Sequence, residues 1–158
     1  MLFLTFLYAG AGENRKEASK ILSFVIGGRK IAIVSATQIE RATKYTKEAT
    51  ETEPGVLKTL NPAAFLEVIR EADATSDYVI VEVHWGTEGS LHEEKSQRLL
   101  AELYAEAGAD AVIGGHPHRL QGCGFTDGVP VAYSLGNFWF STGTLYTTLS
   151  KVTITEDG

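Results

Sequence analysis

The sequence of 158 residues has one cysteine, few basic residues and no long hydrophobic run. Cys123 cannot form a disulfide within the chain, and a cysteine-rich zinc site is excluded. The 14 Lys and Arg against 20 Asp and Glu give a net charge of −6, so no basic surface for nucleic acid is expected. The apolar run Met1–Tyr8 is shorter than the roughly 20 residues of a membrane-spanning helix. It also lacks the basic start of a secretory signal, so we expect a buried strand there.

The chain also lacks internal repeats, a Walker-type phosphate loop and the Gly-x-Ser-x-Gly motif of serine hydrolases. Its length fits one domain, and its 44% hydrophobic and 22% charged residues are typical of a globular protein. We therefore expect residues 1–158 to form a single domain.

Hydrophobic periodicity and turn residues predict strands that alternate with helices and later form hairpins. The predicted strands are Leu2–Tyr8, Ile21–Ile26, Lys30–Ala36, Tyr78–Val83, Ala111–Ile113 and Tyr146–Ile154. Turns are expected at Gly10–Gly12, Gly27-Gly28 and Asp127-Gly128, a short helix at Asn14–Lys20, and a long surface loop at Thr37–Gly55. This order indicates an α/β or mixed α+β fold with a partly parallel sheet.

Two longer helices are predicted between these strands. The first is expected to have Asn61 as its N-cap and Pro62 at its first position, and to end near Asp73. The second is expected over Glu93–Ala107, with Gly108 ending it. The expected apolar faces are Phe65, Leu66, Ile69 and Ala72 on the first helix and Leu99, Leu100, Leu103 and Tyr104 on the second.

Three of the four histidines follow two of the predicted strands. His84 follows Tyr78–Val83, while His116 and His118 follow Ala111–Ile113. Ligands of α/β sheets bind beyond the carboxyl ends of the strands, and in an extended segment residues i and i+2 point the same way. Neutral imidazole is a ligand of Zn, Mn or Fe, so these residues are candidate metal ligands. The alternative is that they are ordinary loop histidines.

Three further side chains near the histidines are candidates for the site. Glu88 can ligate a metal, orient a histidine or act as a general acid or base, although a solvated glutamate is the more common case. Trp85 can line a substrate pocket or anchor the core. Asn137 can contact a bound anion or a metal ligand, or cap its turn.

Three segments together resemble the CapA-type poly-γ-glutamate capsule biosynthesis family, which is similar to the calcineurin-like metallophosphoesterases. These segments are Asp77–Gly86, Ala107–Gln121 and Tyr133–Phe140, read as DYVIVEVHWG, AGADAVIGGHPHRLQ and YSLGNFWF. The resemblance implies a metallophosphoesterase-like mixed α+β sandwich and a divalent metal (Mn, Zn or Fe) held in part by His84, His116 and His118. In that superfamily a two-metal centre activates water for hydrolysis.

The resemblance also has a gap. The family opens with a Gly-Asp strand end, an Asn-Leu-Glu segment and an Asn-His motif, and none of these stands before Gly10. The sequence is therefore interpreted as the C-terminal portion of such a domain, without its N-terminal strands and metal motifs. The resemblance implies an activity at the cell envelope, although this sequence carries no convincing export signal.

Three functions remain open from the sequence. The first is a metal-dependent hydrolase in capsule assembly, acting on a small-molecule or polymer substrate with His84, His116, His118 and Glu88 as catalytic residues and Trp85 and Asn137 at the substrate. The second is a non-catalytic family member that binds a partner or forms a homo-oligomer through an exposed sheet. The third is a cell-wall peptidase with one zinc on the three histidines.

Overall fold

A computed structural model describes residues 7–39, 46–139 and 146–155 of the chain. The helices are α1 (Arg15–Ala18), α2 (Ala63–Thr75) and α3 (Lys95–Glu106). The strands are β1 (Ala11–Gly12), β2 (Leu22–Ile26), β3 (Arg29–Thr37), β4 (Gly55–Val56), β5 (Tyr78–His84), β6 (Ala111–Gly115), β7 (Cys123–Thr126) and β8 (Val129–Ala132). The short strands β1 and β4 pair with each other, and the other six form one larger sheet.

The larger sheet has the strand order β2-β3-β5-β6-β8-β7. Its four central strands, β3, β5, β6 and β8, are parallel, and an antiparallel hairpin partner lies at each edge. The β-branched residues of β5 suit a pleated strand, and its alternate residues Val79, Val81 and Val83 are buried on one face of the sheet. The α/β class and the partly parallel sheet predicted from the sequence are confirmed.

One face of this sheet forms the hydrophobic core. Alternate residues of β3, β5, β6 and β8 point toward α2 and α3, and the helices bury Phe65, Ile69, Leu100 and Tyr104 against them. The Phe65 and Tyr104 rings meet edge to face with centroids 5.4 Å apart. Each fully buried side chain of this size contributes roughly 1.5 to 3 kcal/mol to folding.

The opposite face of the sheet is called the open face here, and neither α2 nor α3 covers it. It carries the other set of alternate residues, among them the half-buried Ile33, Ile80 and Ile113. Two cavities, of about 350 and 420 Å³, lie on this face. Open-face side chains and residues 147–153 line them together. The open face therefore combines apolar strand residues with the polar side chains Glu82 and His84.

Two of the three predicted turns, and the predicted role of Gly108 at the end of α3, are confirmed. Gly27 and Gly28 connect β2 to β3, and Asp127 and Gly128 connect β7 to β8, all with positive φ angles. Such angles match the two-residue hairpin loops that suit the twist of a sheet. Gly108 follows α3 with a φ of +106°, a conformation that glycine adopts without strain.

The two long helices differ from the sequence predictions in their caps and faces. Pro62, not Asn61, occupies the N-cap position of α2, and α2 extends to Thr75. On α3, Leu99 and Leu103 lie toward solvent, 47% and 36% exposed. The predicted α3 face was therefore right for Leu100 and Tyr104 and wrong for Leu99 and Leu103. The buried residues are Gln97, Leu100, Ala101 and Tyr104, at the i, i+3, i+4 and i+7 spacing of one helix stripe.

Other local predictions also needed correction. Residues 146–154 are not a strand and make one isolated bridge, Gly136 with Thr147. Their alternating pattern was misleading because an alternating segment needs a neighbouring strand to pair with. Ala11–Gly12 is a short strand where a turn was expected, whereas the hairpin at residues 21–36 and the helical turn after Asn14 are confirmed.

Two predictions fall partly outside the described residues. The strand expected over Leu2–Tyr8 lies there except for Leu7 and Tyr8, which are not in a strand. The loop predicted over Thr37–Gly55 includes residues 40–45, which also lie outside. In the described part of that loop, Thr37 still belongs to β3, and Gly55 begins β4.

Candidate functional site

The candidate site lies where β5 and β6 end, side by side in the sheet. His84, the last residue of β5, stands directly opposite Gly115, the last residue of β6, and opposite Thr37 of β3 on its other side. Backbone bonds hold this point: Trp85 N–H donates to the Gly115 carbonyl at 3.0 Å, and Gln38 N–H donates to the His84 carbonyl at 2.8 Å. The register of the parallel strands therefore fixes where His84 and the residue after Gly115 stand.

The histidine pair, His84 and His116, forms the centre of the site. The His84 Nε2 and His116 Nδ1 atoms are 3.0 Å apart, and the ring centroids are 4.7 Å apart at an interplanar angle of 62°. At this distance one nitrogen donates a hydrogen bond to the other. Partial burial, followed by the charges that His116 and His118 can carry, lowers the pKa of His84 to about 4. At neutral pH the His84 ring is therefore uncharged and can accept or ligate.

The loop from His116 to His118 is not the extended segment that we expected. His116 has a φ of +99° and His118 a φ of +56°, values that residues with a side chain rarely adopt. The centroids of the two imidazole rings are 6.0 Å apart, at an interplanar angle of 54°. Gly89 N–H donates to the Pro117 carbonyl at 2.8 Å and ties the loop to the turn after β5.

His118 makes its own contact with Asn137. The His118 Nδ1 and Asn137 Oδ1 atoms are 2.5 Å apart. Asn137 follows Gly136, which has a φ of +74°, and it is buried in the loop after β8. The structure thus joins two motifs that are 19 residues apart in the chain.

Trp85 lies in the core, as expected for the anchor role, which was one of the two roles considered for it. Its side chain is fully buried, and its indole N–H donates to the Tyr133 carbonyl at 2.8 Å. The ring stacks with Tyr104 and Tyr133 at centroid distances of 6.2 and 5.9 Å. This burial supports the anchor role, because a side chain with no exposed surface cannot line an open substrate pocket.

The two glutamates near His84 are in different places. Glu88 lies exposed in the turn after β5, one residue before the Gly89 that binds the Pro117 carbonyl. Glu82 lies on the open face and lines the cavity of about 420 Å³ together with Ser35 and His84. The carboxylate that shares a cavity with His84 is therefore that of Glu82.

Sequence reasoning missed two glutamines that hold the loop after β5. The buried Gln97 accepts from Glu94 N–H through Oε1 at 2.9 Å and donates through Nε2 to Gln121 Oε1 at 3.0 Å. Gln121 in turn donates to the carbonyls of Ser90 and His92 at 3.2 and 3.0 Å. No local pattern marked these residues, because Gln97 is buried through a hydrogen bond to a residue 24 positions away in the chain.

Two features are absent from the described residues. Among residues 7–39, 46–139 and 146–155, no group of three or more His, Cys, Asp or Glu side chains is arranged to hold a metal ion. Within the same ranges, no helix combines the length and the apolar character needed to cross a membrane. The histidine pair is therefore at most part of a metal-binding set.

The fold of this chain is similar to that of a solved structure. The chain aligns over 96% of its length with a Staphylococcus aureus protein described as a 5′-nucleotidase and solved in complex with alpha-ketoglutarate. The TM-score is 0.52, the sequence identity is 18%, and the alignment covers 34% of that chain. At this identity the likeness concerns the fold alone, and it agrees with the predicted α/β class.

Sequence comparison then gives the family. The profile of the bacterial capsule synthesis protein PGA_cap family matches residues 4–142. The chain is 37% identical over 135 residues to the PGA biosynthesis protein CapA of Bacillus subtilis (strain 168), covering 85% of this chain and 34% of that protein. It is 36% identical over 140 residues to the capsule biosynthesis protein CapA of Bacillus anthracis, covering 86% and 33%. The chain belongs to this capsule synthesis family, as predicted, and spans about a third of the length of these relatives.

Proposed function

We propose that this chain carries the histidine side of a divalent-metal hydrolase site that serves the synthesis of a capsule polymer. The observation that carries this proposal is the 3.0 Å separation of His84 Nε2 and His116 Nδ1. Two ligand nitrogens that each lie about 2.1 Å from one six-coordinate ion, at right angles, are about 3.0 Å apart, and around a tetrahedral zinc they are about 3.4 Å apart. The pair therefore fits two neighbouring positions around one ion.

The chemistry of the donors agrees with this proposal. Imidazole suits Zn, Mn and Fe, and it binds a metal in its neutral form. His118 offers a third imidazole beside the pair, its Nδ1 already in contact with Asn137. Because the described residues contain no complete set of ligands, further ligands are proposed to come from other groups.

The roles of the individual residues follow from their positions. His84 and His116 hold the ion, and binding requires that the nitrogen that now donates in this pair gives up its proton or moves it to the other ring nitrogen. A bound divalent metal supplies an activated water and stabilises negative charge on the reacting group. Glu82 shares the cavity with His84 and can hold a proton there, while Glu88 remains a candidate acid or base in the adjacent turn.

The polymer is proposed from the relatives. One relative is described as a PGA biosynthesis protein and the other as a capsule biosynthesis protein. We propose that the substrate is a precursor or strand of such a polymer, poly-γ-glutamate in the first case, and that the site cleaves a bond in it.

Isothermal titration with Mn²⁺ and Zn²⁺ at neutral pH tests the metal-binding part. We expect wild-type binding that His116→Ala weakens by more than about 100-fold, since losing the partner of a ligand already costs roughly 10- to 100-fold. His92→Ala is the matched control, because His92 is an exposed histidine outside the pair. Wild-type affinity no tighter than that of His116→Ala would refute the proposal.

A further inference from the structure

The contact between His118 and Asn137 determines where the imidazole proton is. An amide oxygen only accepts hydrogen bonds, and the atom that faces His118 Nδ1 is Asn137 Oδ1. His118 must therefore donate from Nδ1. A neutral imidazole has one ring proton, so the other nitrogen, Nε2, then holds a lone pair.

The surroundings of Asn137 indicate that this contact is built into the fold. Asn137 is nine-tenths buried, and its Nδ2 is a buried donor without a hydrogen-bond partner among the described residues. A native fold rarely leaves such a donor unpaired, and each case calls for a functional or structural reason. The amide is held in this orientation although only one of its two polar atoms is satisfied.

The backbone of the histidine loop gives an independent indication. His116 and His118 both have positive φ angles, and such strain persists only where the surrounding structure imposes it. Two contacts from different segments hold the loop: Gly89 N–H to the Pro117 carbonyl at 2.8 Å, and Asn137 to the His118 ring. The strain and the side-chain contact thus coincide at His118.

We propose that Asn137 is a positioning residue that holds His118 in the Nδ1–H tautomer, so that Nε2 is its lone-pair nitrogen. Nε2 is then the nitrogen through which His118 can ligate a metal ion or accept a proton. The tautomer itself belongs to the metal-free chain, and only the use of Nε2 as a ligand rests on the proposed function.

Nitrogen-15 NMR of the metal-free chain tests this directly. In protein labelled at the histidine nitrogens, at a pH where the rings are neutral, two-bond proton–nitrogen correlations identify which ring nitrogen is protonated. We expect His118 to be protonated at Nδ1 in the wild type and to lose this preference in Asn137→Ala. Asn137→Asp keeps an acceptor oxygen and should retain the preference, and Asn61→Ala, at an exposed asparagine, is the matched control.

Two results would overturn the positioning role. One is a wild-type His118 that carries its proton on Nε2, a result that does not depend on how well any variant folds. The other is a folded Asn137→Ala chain, checked by its amide spectrum, in which the tautomer is unchanged.

Metal titration separates this proposal from the preceding one. We expect Asn137→Ala to weaken Zn²⁺ binding by roughly 10- to 100-fold, and Asn137→Asp to bind more tightly than Asn137→Ala. A wild-type chain that is protonated at Nδ1 of His118 but binds no metal would refute the proposed function and support the positioning role.

Discussion

At the scale of single residues, the properties of His84 come from its partial burial and from the two histidines beside it. It ends β5 on the open face, where its ring is partly enclosed and faces His116 at hydrogen-bond distance. Partial burial disfavours the charged form, and a positive charge on a neighbouring histidine disfavours it further. Both causes lower the pKa of His84, so the ring stays uncharged over the neutral and mildly acidic range.

This shift predicts a pH dependence of stability in the metal-free chain. The unfolded His84 takes up a proton near its ordinary pKa of about 6.5, whereas the folded residue does so at a pKa of about 4. Between these values the unfolded state binds more protons, so acidification lowers the free energy of unfolding, and above about pH 7 the effect vanishes. We expect a loss of about 1 to 2 kcal/mol from pH 7 to 4, because solvent at this exposed residue screens part of the effect.

Urea denaturation at several pH values, with His84→Gln as the comparison, measures this dependence. The variant should lose less stability than the wild type on acidification. An NMR titration of His84 with a midpoint at or above about 6.5 contradicts the explanation.

At the scale of structural elements, the close approach of three segments holds the site together. Gly114 of β6 packs against Trp85 and the Tyr133 carbonyl, and a β-carbon built on Gly114 lies nearer than 3.0 Å to both. The neighbouring Gly115 has nothing within 4 Å of such an atom. The two adjacent glycines therefore have different roles, one in packing and one at the open surface.

This difference predicts unequal effects of the same substitution. Gly114→Ala should lower the free energy of unfolding by about 3 kcal/mol, because a backbone oxygen and a stacked indole cannot move aside easily. Gly115→Ala should change it by no more than about 0.5 kcal/mol. Urea denaturation followed by circular dichroism compares the two variants, and equal losses would contradict this packing explanation.

The elements also show why some predictions from the sequence succeeded. The strand β5 and the two hairpins were predictable because β-branched runs and Gly-Gly or Asp-Gly turns act locally. The α3 face was mispredicted because Leu99 and Leu103 are apolar yet exposed, while the polar Gln97 is buried through contacts with residues distant in sequence. Local patterns do not contain such long-range hydrogen bonds.

The candidate site was also predictable from the sequence only in part. His84, His116 and His118 could be selected from their positions after two strands, and the parallel register of β5 and β6 brings the first two together. The positive φ angles of the histidine loop and the partnership of His118 with Asn137 could not be read from the sequence. Both depend on how the loops after β6 and β8 meet.

At the scale of the whole molecule, the two faces of the sheet differ: one contains the hydrophobic core, and the other carries residues of the candidate site. The helix-covered face contains the core, including Trp85 and Tyr104, whereas the open face carries Glu82 and His84. Changes on the open face can therefore alter the site with little effect on the core. Self-association through the open face, which the sequence suggested, stays a prediction.

Anomalous diffraction from crystals of the chain grown with Zn²⁺ tests the proposal that His84 and His116 bind one divalent metal ion. We expect an anomalous peak at the zinc edge within bonding distance of His84 Nε2 and His116 Nδ1. A map without such a peak, in which the two imidazoles remain hydrogen-bonded to each other, would contradict it.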